Sequence, residues 1–223
     1  MDLSKSREFF EPNNHKERIH IIGCGSVGST VAELLARFGL TKFTLYDFDI
    51  VEPHNIVNQM FRKTDVAKLK VDALKEIICE INPEAAPDIK LQPEGWNGQA
   101  LSGIVILAVD NIELRKKICE ANKYNINIAA MFDFRTALFD AQHYGADWSK
   151  AEHRKDFVGT MDFAHEEVTE TVSACGVTLG VAPTVRMICT VGVTNIVNFM
   201  KTGELHKVII ANPWIYDVLA MGK

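Results

Sequence analysis

Short runs of apolar residues alternate, over the first 132 positions, with segments in which apolar residues recur every three or four positions. Short runs rich in Ile, Val and Phe predict buried strands, and the longer periodicity predicts amphipathic helices. The predicted strands are 19–22, 43–46, 89–91, 103–109 and 126–132, and the predicted helices are 27–38, 66–81 and 112–124. Their order, β-α-β-α-β-β-α-β, predicts an α/β fold with a Rossmann-like, doubly wound, mostly parallel sheet.

The pattern changes after residue 132. Apolar residues alternate with other residues over 137–143, and two more apolar runs follow at 208–210 and 214–219. These three stretches predict an antiparallel C-terminal extension of the sheet. The segment 145–175 is polar and mixed in charge, and we expect it to form a mobile loop, because long insertions without periodicity often do so.

A long apolar helix is predicted for residues 180–202, since Pro183 is tolerated in a first helical turn and Gly203 can end the helix. This helix is a candidate dimer interface, and burial in the core of its own chain is the second interpretation. Residues 1–17 are polar and predict an N-terminal arm packed on a neighbour. The length of the chain then fits a single domain over 1–223.

Composition excludes several classes of function. The net charge is −5 and there is no basic run, which argues against general nucleic-acid binding. No apolar segment reaches membrane-spanning length, because Arg186 and several polar residues interrupt 177–200, the nearest candidate. The N-terminus lacks the apolar core of a signal peptide. The five cysteines include no C-x-x-C pair, so we expect a cytoplasmic protein with free thiols and without structural zinc.

A glycine-rich turn follows the first predicted strand, where Gly23, Gly25 and Gly28 form a G-x-G-x-x-G pattern. The first glycine permits a tight turn, the second lets a phosphate approach the backbone, and the third lets helix and strand pack closely. Free N–H groups at the start of the helix favour an anion. Asp47 lies 19 residues after Gly28, where an acidic residue can accept hydrogen bonds from a ribose. The pattern predicts a nucleotide-binding unit; a tight turn without a ligand is the alternative.

More acidic residues follow the predicted parallel strands. Asp49 comes soon after 43–46, Asp110 directly follows 103–109, and Asp133 follows 126–132. The carboxyl ends of parallel strands share one edge, and ligands of such sheets bind there. We therefore expect the chemistry of this protein at that edge. An NAD-dependent oxidoreductase would need a second region for its substrate, and this chain has little room for one.

A longer motif adds to the glycine turn. The stretch DFDIVEPHNIVNQMFRKTDVAKLKVDAL, together with GCGSVG and the later VDNIELR, resembles the ThiF/MoeB/HesA family, relatives of the adenylating domain of ubiquitin-activating enzymes. The resemblance covers roughly 18–130 and, more loosely, 170–203. It is quite specific, because it fixes several unlike residues on separate elements. Asn111 and Arg115 complete the last of these segments.

The resemblance implies ATP-dependent adenylation of a carboxylate, with ATP and Mg²⁺ as cofactors. In the family the acceptor is often the C-terminal glycine tail of a ubiquitin-like protein, so a ubiquitin-like or sulfur-carrier protein or a peptide C-terminus is the expected partner. A homodimer is also implied. Attack of a carboxylate on the α-phosphate develops negative charge, which lysine, amide and metal charge would stabilise.

Carried over by position, the glycines would line the phosphates, Asp47 would hold the ribose and Asp49 would support the same pocket. Asn55 and Lys70 would contact phosphate oxygens, and Asp110 would hold magnesium. The residues expected to bind the nucleotide are Gly23, Gly25, Ser26, Gly28, Asp47, Asp49, Asn55, Gln59, Lys70, Asp110 and Asn111. The residues expected to act in catalysis are Asp110, Lys70, Asn55 and Arg62.

Simpler roles are open for three of these residues. Lys70 would then be a solvated helix residue, Asp110 would only cap the helix that follows it, and Asn55 would only form a turn. Cys175 lies just before the long helix and is a candidate for a thioester with an activated substrate, although a structural thiol is the simpler interpretation.

The sequence departs from the family pattern in one place that concerns charge. The family usually has arginine before the motif glutamine, where this chain has Asn58, which supplies no charge to a phosphate. Arg62, or Arg7 on the N-terminal arm of a partner subunit, could compensate. The departure also supports a different interpretation, a catalytically lapsed nucleotide-binding module that recruits a ubiquitin-like or peptide partner. An NAD-dependent oxidoreductase is the remaining alternative.

Overall fold

A computed structural model describes residues 1–162 and 179–223. Its first half alternates strands and helices as the apolar pattern predicts. The strands of this half are β1 (Ile19–Ile22), β2 (Phe43–Tyr46), β3 (Lys90–Gln92) and β4 (Gly103–Leu107), and its helices are α1 (Ser26–Arg37), α2 (Lys70–Ile81) and α3 (Ile112–Ala121). The second half contributes β5 (Ile128–Thr136), β6 (Ala141–Asp147), α4 (Ala151–Gly159), α5 (Ala182–Thr202), β7 (Val208–Asn212) and β8 (Asp217–Met221).

The strands form one eight-stranded sheet in the order β3-β2-β1-β4-β5-β6-β7-β8. Strands β1 to β5 pair in parallel, whereas β6, β7 and β8 pair antiparallel with their neighbours. The predicted fold class, a Rossmann-like and mostly parallel sheet with an antiparallel C-terminal extension, is therefore confirmed. The chain order reverses direction across the sheet at β1 and β4, so the crevice between these strands opens at their carboxyl ends.

Helices cover both faces of the sheet. Helices α1, α2 and α5 bury one face, and their apolar residues form one cluster with the strands. Helices α3 and α4 bury part of the opposite face, where Trp148 and Phe157 pack edge to face at 5.9 Å. Since helices cover both faces of the sheet, the central strands β1 and β4 are buried on both sides. Their sequences are therefore nearly continuous apolar runs and lack the alternation of a half-exposed strand.

Several predicted boundaries differ from the structure. The helix expected from position 66 begins at Lys70, because Ala67 adopts a left-handed φ of 72° and its N–H donates to the Val51 carbonyl. Residues 66–69 therefore pair with the chain near Val51 instead of extending the helix, and Ile50 and Leu69 form an isolated bridge. This geometry brings Lys70 next to the end of β2.

The later elements also shift. Strand β5 continues to Thr136, beyond the predicted end at 132, and the antiparallel strand expected from 137 begins at Ala141 after a turn closed by the Ala137 N–H and the Asp140 carbonyl. The segment 145–175 was expected to be a loop, but it includes the end of β6 and the whole of α4. The rest of that segment from 163 lies outside the described residues, as does Cys175.

The N-terminal arm packs on its own chain. Phe10 is buried and lies edge to face with Phe38, 5.6 Å away, and the ammonium of Lys201 lies 3.5 Å from the ring centroid of Phe9. Arg7 pairs with Glu11 on the same arm at 3.1 Å. These contacts hold the arm on its own chain, while packing of the arm on a neighbouring subunit stays a prediction.

Helix α5 lies in the core along one face. Val185, Ile188, Val193 and Ile196 are buried against α1 and strands β5 to β7. The interpretation as a core helix is thus confirmed, while the homodimer stays a prediction. Within the described residues, no helix has the length and apolarity needed to cross a bilayer.

Candidate functional site

Two of the three motif glycines are required by the fold of the turn between β1 and α1. Gly23 has a φ of 95°, and a Cβ there would lie 2.6 Å from the carbonyl oxygen of Ala108 at the end of β4. A Cβ on Gly28 would overlap the Gly23 carbonyl and lie 3.2 Å from a methyl group of Ile21. These contacts leave no room for a side chain at either position.

Gly25 differs from the other two glycines. A Cβ built there meets nothing within 4 Å, and its φ of −73° is one that other residues adopt. Gly25 is the N-cap of α1 without a side-chain capping bond, and both Gly25 and Ser26 are partly exposed. In the described part of the chain the first N–H groups of this helix have no hydrogen-bond partner, and a Cβ at Gly25 would lie in open space. A phosphate fits the chemistry of such a space.

Asp47 lies directly against this turn. One of its carboxylate oxygens accepts a hydrogen bond of 2.7 Å from the Cys24 N–H, and the other accepts one of 2.9 Å from the Asp49 N–H. Burial raises the pKa of Asp47, and the two backbone hydrogen bonds act in the opposite direction. The acidic residue predicted to hold a ribose is thus fixed in position beside the predicted phosphate site.

Lys70 and Asp49 form an ion pair at the same edge. The Lys70 ammonium lies 2.7 Å from a carboxylate oxygen of Asp49, and the Lys70 N–H donates to the Asp49 carbonyl at 2.9 Å. Only 8% of Lys70 is exposed. The interpretation of Lys70 as an ordinary solvated residue is therefore wrong, because its charge is held where β2 ends and α2 begins.

The loop between β2 and α2 contains Asn55, Asn58 and Gln59. Asn55 is buried, and its side-chain oxygen accepts a hydrogen bond of 2.9 Å from the Glu52 N–H, so it does form the turn that the simpler interpretation proposed. The Gln59 side-chain oxygen is buried and has no hydrogen-bond partner in the part of the chain that the structure describes. Asn58 donates to the Gly180 carbonyl at 3.3 Å, which joins this loop to the start of α5.

Asp110 is exposed after the end of β4. It lies two residues after Ala108, whose carbonyl closely approaches Gly23. The helix that follows is capped by Asn111, whose side-chain oxygen accepts a hydrogen bond of 2.9 Å from the Leu114 N–H. The capping role considered for Asp110 therefore belongs to its neighbour. Among residues 1–162 and 179–223 no hydrogen bond or ion pair engages the Asp110 carboxylate. It is accessible to a cation near the turn.

Arg115 and Asp133 are buried below this edge. Asp133 is fully buried, pairs with Arg115 and lies 2.8 Å from the guanidinium of Arg135. Arg115 also donates to the Val109 carbonyl at 2.9 Å. Burial lowers the pKa of Arg115 to about 9, which still leaves it charged at neutral pH. The expectation that Asp133 belongs to the exposed edge is wrong, because it is the counter-ion of two arginines.

Arg62 is not brought to the predicted phosphate site. Its guanidinium lies 3.0 Å from Asp65 and 2.6 Å from Glu80, and these bonds raise its pKa. Glu80 lies ten residues after Lys70 on α2, which corresponds to about 15 Å of helix rise. Arg62 therefore stabilises the outer part of α2, and it does not compensate for Asn58 in this arrangement.

Arg186 is a residue that the sequence pattern did not single out for function. It lies on α5, and its guanidinium donates to the hydroxyl of Thr30 on α1, which in turn donates to the Ser26 carbonyl at 2.7 Å. Its only signal in the sequence is a charge within an apolar helix. That signal does not reveal that the charge lies beside the first turns of α1.

Metal binding by protein ligands alone is not supported in the described part of the chain, where no group of three or more His, Cys, Asp or Glu side chains is clustered. Mg²⁺ commonly takes one or two carboxylates together with phosphate oxygens and waters. Asp110 and Asp49 are exposed carboxylates at this edge, and Asp49 is paired with Lys70.

Comparisons with known proteins show the family of this chain. The model of the ThiF family matches residues 12–221. A ubiquitin-like modifier-activating enzyme 5 of Arabidopsis thaliana is 42% identical over 66 residues, which cover 30% of this chain and 15% of that protein. A tRNA threonylcarbamoyladenosine dehydratase of Haemophilus influenzae is 35% identical over 117 residues, covering 48% of this chain and 45% of that protein. The matched region is less than half the length of either relative.

Solved structures show the same fold at low sequence identity. Selenomethionine PaaA superposes with a TM-score of 0.68 at 19% identity, covering 92% of this chain and 63% of that chain. E. coli MccB with ATP gives a TM-score of 0.67 at 17% identity, covering 93% of this chain and 64% of that chain. Identities of this size support the fold, and the site must be argued from its own residues.

Proposed function

The chain belongs to the ThiF family, and we propose that it uses ATP to adenylate a C-terminal carboxylate, that of a peptide or of a ubiquitin-like or sulfur-carrier protein. The observation that carries the proposal is the open space above Gly25. Asp47 bonds to the Cys24 N–H beside this space, Lys70 pairs with Asp49 where β2 ends, and Asp110 follows β4. Close contacts require glycine at 23 and 28 but not at 25, which supports a ligand that approaches the backbone at Gly25.

The residues present suit a nucleoside triphosphate. The N–H groups at the start of α1 and the ammonium of Lys70 offer positive charge, while Asp47 offers acceptors to a ribose. The unpartnered oxygen of Gln59 offers another acceptor on the loop before α2. When bound, ATP with Mg²⁺ would supply an electrophilic α-phosphorus and a pyrophosphate leaving group.

Each of these side chains has a defined task in the proposed reaction. Lys70 would offset negative charge that grows on the phosphate oxygens, and its ion pair with Asp49 would hold it ready for that task. Asp110 would hold Mg²⁺ through its free carboxylate. Asn55 would keep the loop in shape by its turn hydrogen bond, and Asn111 would begin α3 so that Asp110 remains uncapped.

The names of relatives and of similar solved structures support a peptide or a ubiquitin-like protein as the acceptor. Solved structures of E. coli MccB include complexes with MccA, and several relatives are named as ubiquitin-like modifier-activating enzymes. Another relative is named as a tRNA threonylcarbamoyladenosine dehydratase, which favours testing acceptors of other classes as well.

The test is ATP–pyrophosphate exchange with candidate carboxylates. We expect exchange with a suitable C-terminus and none with the same peptide carrying a C-terminal amide, because the amide removes the nucleophilic oxygen. Asp110→Ala should lower the exchange rate on the order of 100-fold, as removal of one preorganised charge group does. Glu113→Ala, which removes an exposed acid from the first turn of α3, is the matched control and should exchange like the wild type. Equal rates for both variants would contradict the assignment of Asp110.

A catalytically lapsed nucleotide-binding module is the second candidate, and Asn58 favours it. The amide of Asn58 is neutral and already donates to the Gly180 carbonyl, so it adds no charge where the family has arginine. This module would bind ATP and its partner without exchange for any carboxylate. The exchange assay together with calorimetry of ATP binding separates the two functions.

A further inference from the structure

The cations described so far differ in position and in partner. Lys70 is paired with Asp49, Arg62 with Asp65 and Glu80, and Arg115 with Asp133. Arg62 lies at the outer part of α2 and Arg115 is buried below the edge of the sheet, whereas Lys70 would share its ammonium between Asp49 and a phosphate. The question is which positive charge near α1 replaces the arginine that is absent at position 58.

Arg186 has a different kind of partner. Its guanidinium donates to the neutral hydroxyl of Thr30, and in residues 1–162 and 179–223 it forms no ion pair. Thr30 is linked by its own hydrogen bond to the Ser26 carbonyl, so the guanidinium lies two hydrogen bonds from the first residue of α1. The Cys189 thiol contacts the Val27 carbonyl at 3.8 Å, which fixes α5 against the same turn of α1.

The partner of Arg186 is a neutral hydroxyl, so that partner does not neutralise its positive charge. A phosphate oxygen would add the attraction between opposite charges to the hydrogen bond, and the planar guanidinium suits bidentate binding of a phosphate. Arg186 is half-buried, so part of its side chain is accessible to a ligand. Asn58 contacts Gly180, six residues before Arg186 on the same segment, so both positions border one part of the site.

We propose that Arg186 binds the triphosphate of the nucleotide and supplies the positive charge that Asn58 cannot. The inference rests on the proposed function only in taking ATP as the ligand. It assigns the missing charge to a residue of the same chain, on α5, instead of to Arg62 or to the N-terminal arm. It also gives a reason why Asn58 is compatible with nucleotide binding.

The experiment compares the affinities of ATP and adenosine by calorimetry. Adenosine lacks phosphates, so the ratio of the two affinities reports binding at the triphosphate independently of turnover. Arg186→Met keeps the length of the side chain and removes its charge, and we expect the ratio to fall about tenfold or more. Lys201→Met is the matched control at the far end of α5, and it should leave the ratio unchanged.

Rescue makes the test specific. Adding Asn58→Arg to Arg186→Met should restore the ratio, because the charge returns from the loop side of the site, and a merely structural role of Arg186 would not be rescued in this way. If thermal unfolding shows that Arg186→Met does not fold, Arg186→Gln takes its place, because glutamine keeps a hydrogen-bond donor for Thr30 and carries no charge. An unchanged ratio in a folded Arg186→Met or Arg186→Gln protein overturns the proposal.

Failure of the proposed function gives a different result. If the wild type binds ATP but shows no pyrophosphate exchange with any carboxylate, adenylation is wrong while a fall in the affinity ratio still supports Arg186. If exchange occurs and the ratio is insensitive to Arg186, adenylation stands and the role of Arg186 is wrong.

Discussion

Replacement of each of two glycines by alanine should separate folding from nucleotide binding. At Gly28 the added methyl group would overlap the Gly23 carbonyl and lie 3.2 Å from Ile21, which is fully buried. Overpacking costs about 1–3 kcal/mol, and because the overlap here is with a backbone carbonyl we take about 2–3 kcal/mol, which exceeds the gain of about 1 kcal/mol from alanine in a helix. At Gly25 the same methyl group meets nothing within 4 Å.

The expected outcomes are therefore opposite. Gly28→Ala should lower the melting temperature by roughly 2–8 °C for a net loss of about 1–2 kcal/mol in a chain of this size. Gly25→Ala should change the free energy of unfolding by less than about 1 kcal/mol but weaken ATP binding about 10- to 100-fold, since the methyl group separates a phosphate from its N–H donors. The measurements are calorimetric unfolding and titration with ATP, with adenosine as the control ligand.

Two results would refute this reasoning. Wild-type affinity of a folded Gly25→Ala protein for ATP would remove the turn from the phosphate site. A wild-type melting temperature for Gly28→Ala would show that the turn relaxes around the methyl group, and the argument from close contact of α1 and β1 would fail.

Lys70→Ala should lower pyrophosphate exchange about 100-fold while ATP affinity, measured by calorimetry, changes far less, because its charge acts mainly on the transition state; equal losses in both would assign it to binding alone. Asp133→Ala should cost about 3–5 kcal/mol of unfolding free energy in a urea titration, since it leaves Arg115 buried without its counter-ion. Burial lowers the pKa of His20 to about 4 and that of His143 to about 3, so the unfolded chain binds protons first as the pH falls. The free energy of unfolding should thus be fully retained above about pH 6.5 and fall below it by up to about 1.4 kcal/mol per pH unit for each histidine, as urea titrations at pH 7 and 5 would show.

The sequence was most informative where structure depends on nearby residues. The strand before Gly23 and the helix after Gly28 follow from apolar spacing, and the three glycines mark the turn between them. The position of Asp47 beside the turn is also predictable, because the short βαβ connection fixes the end of β2 relative to β1. Parallel pairing then brings Asp110 to the same edge. Periodicity and spacing are local properties, so they can be read without the fold.

The length of regular elements was less determined. Residues 66–69 have the apolar spacing of a helix, but Ala67 bonds to the Val51 carbonyl and the helix starts only at Lys70. Helix α4 lies within a polar stretch whose periodicity is weak, and tertiary contacts of Phe157 stabilise it. Contacts between distant segments decide such cases, because they outweigh small differences in local propensity.

The partners of charged side chains were decided only by tertiary structure. The sequence makes Arg62 and Asp133 plausible site residues and does not single out Arg186. In the structure Arg62 faces the outer end of α2 and Asp133 lies buried between two arginines. Packing of α5 on α1 brings Arg186 to Thr30, from which it is separated by 156 positions in the sequence. A charge interacts with whatever the fold places within a few ångströms, so residue type and spacing along the chain determine which elements form, whereas their packing determines which charges remain available to a ligand.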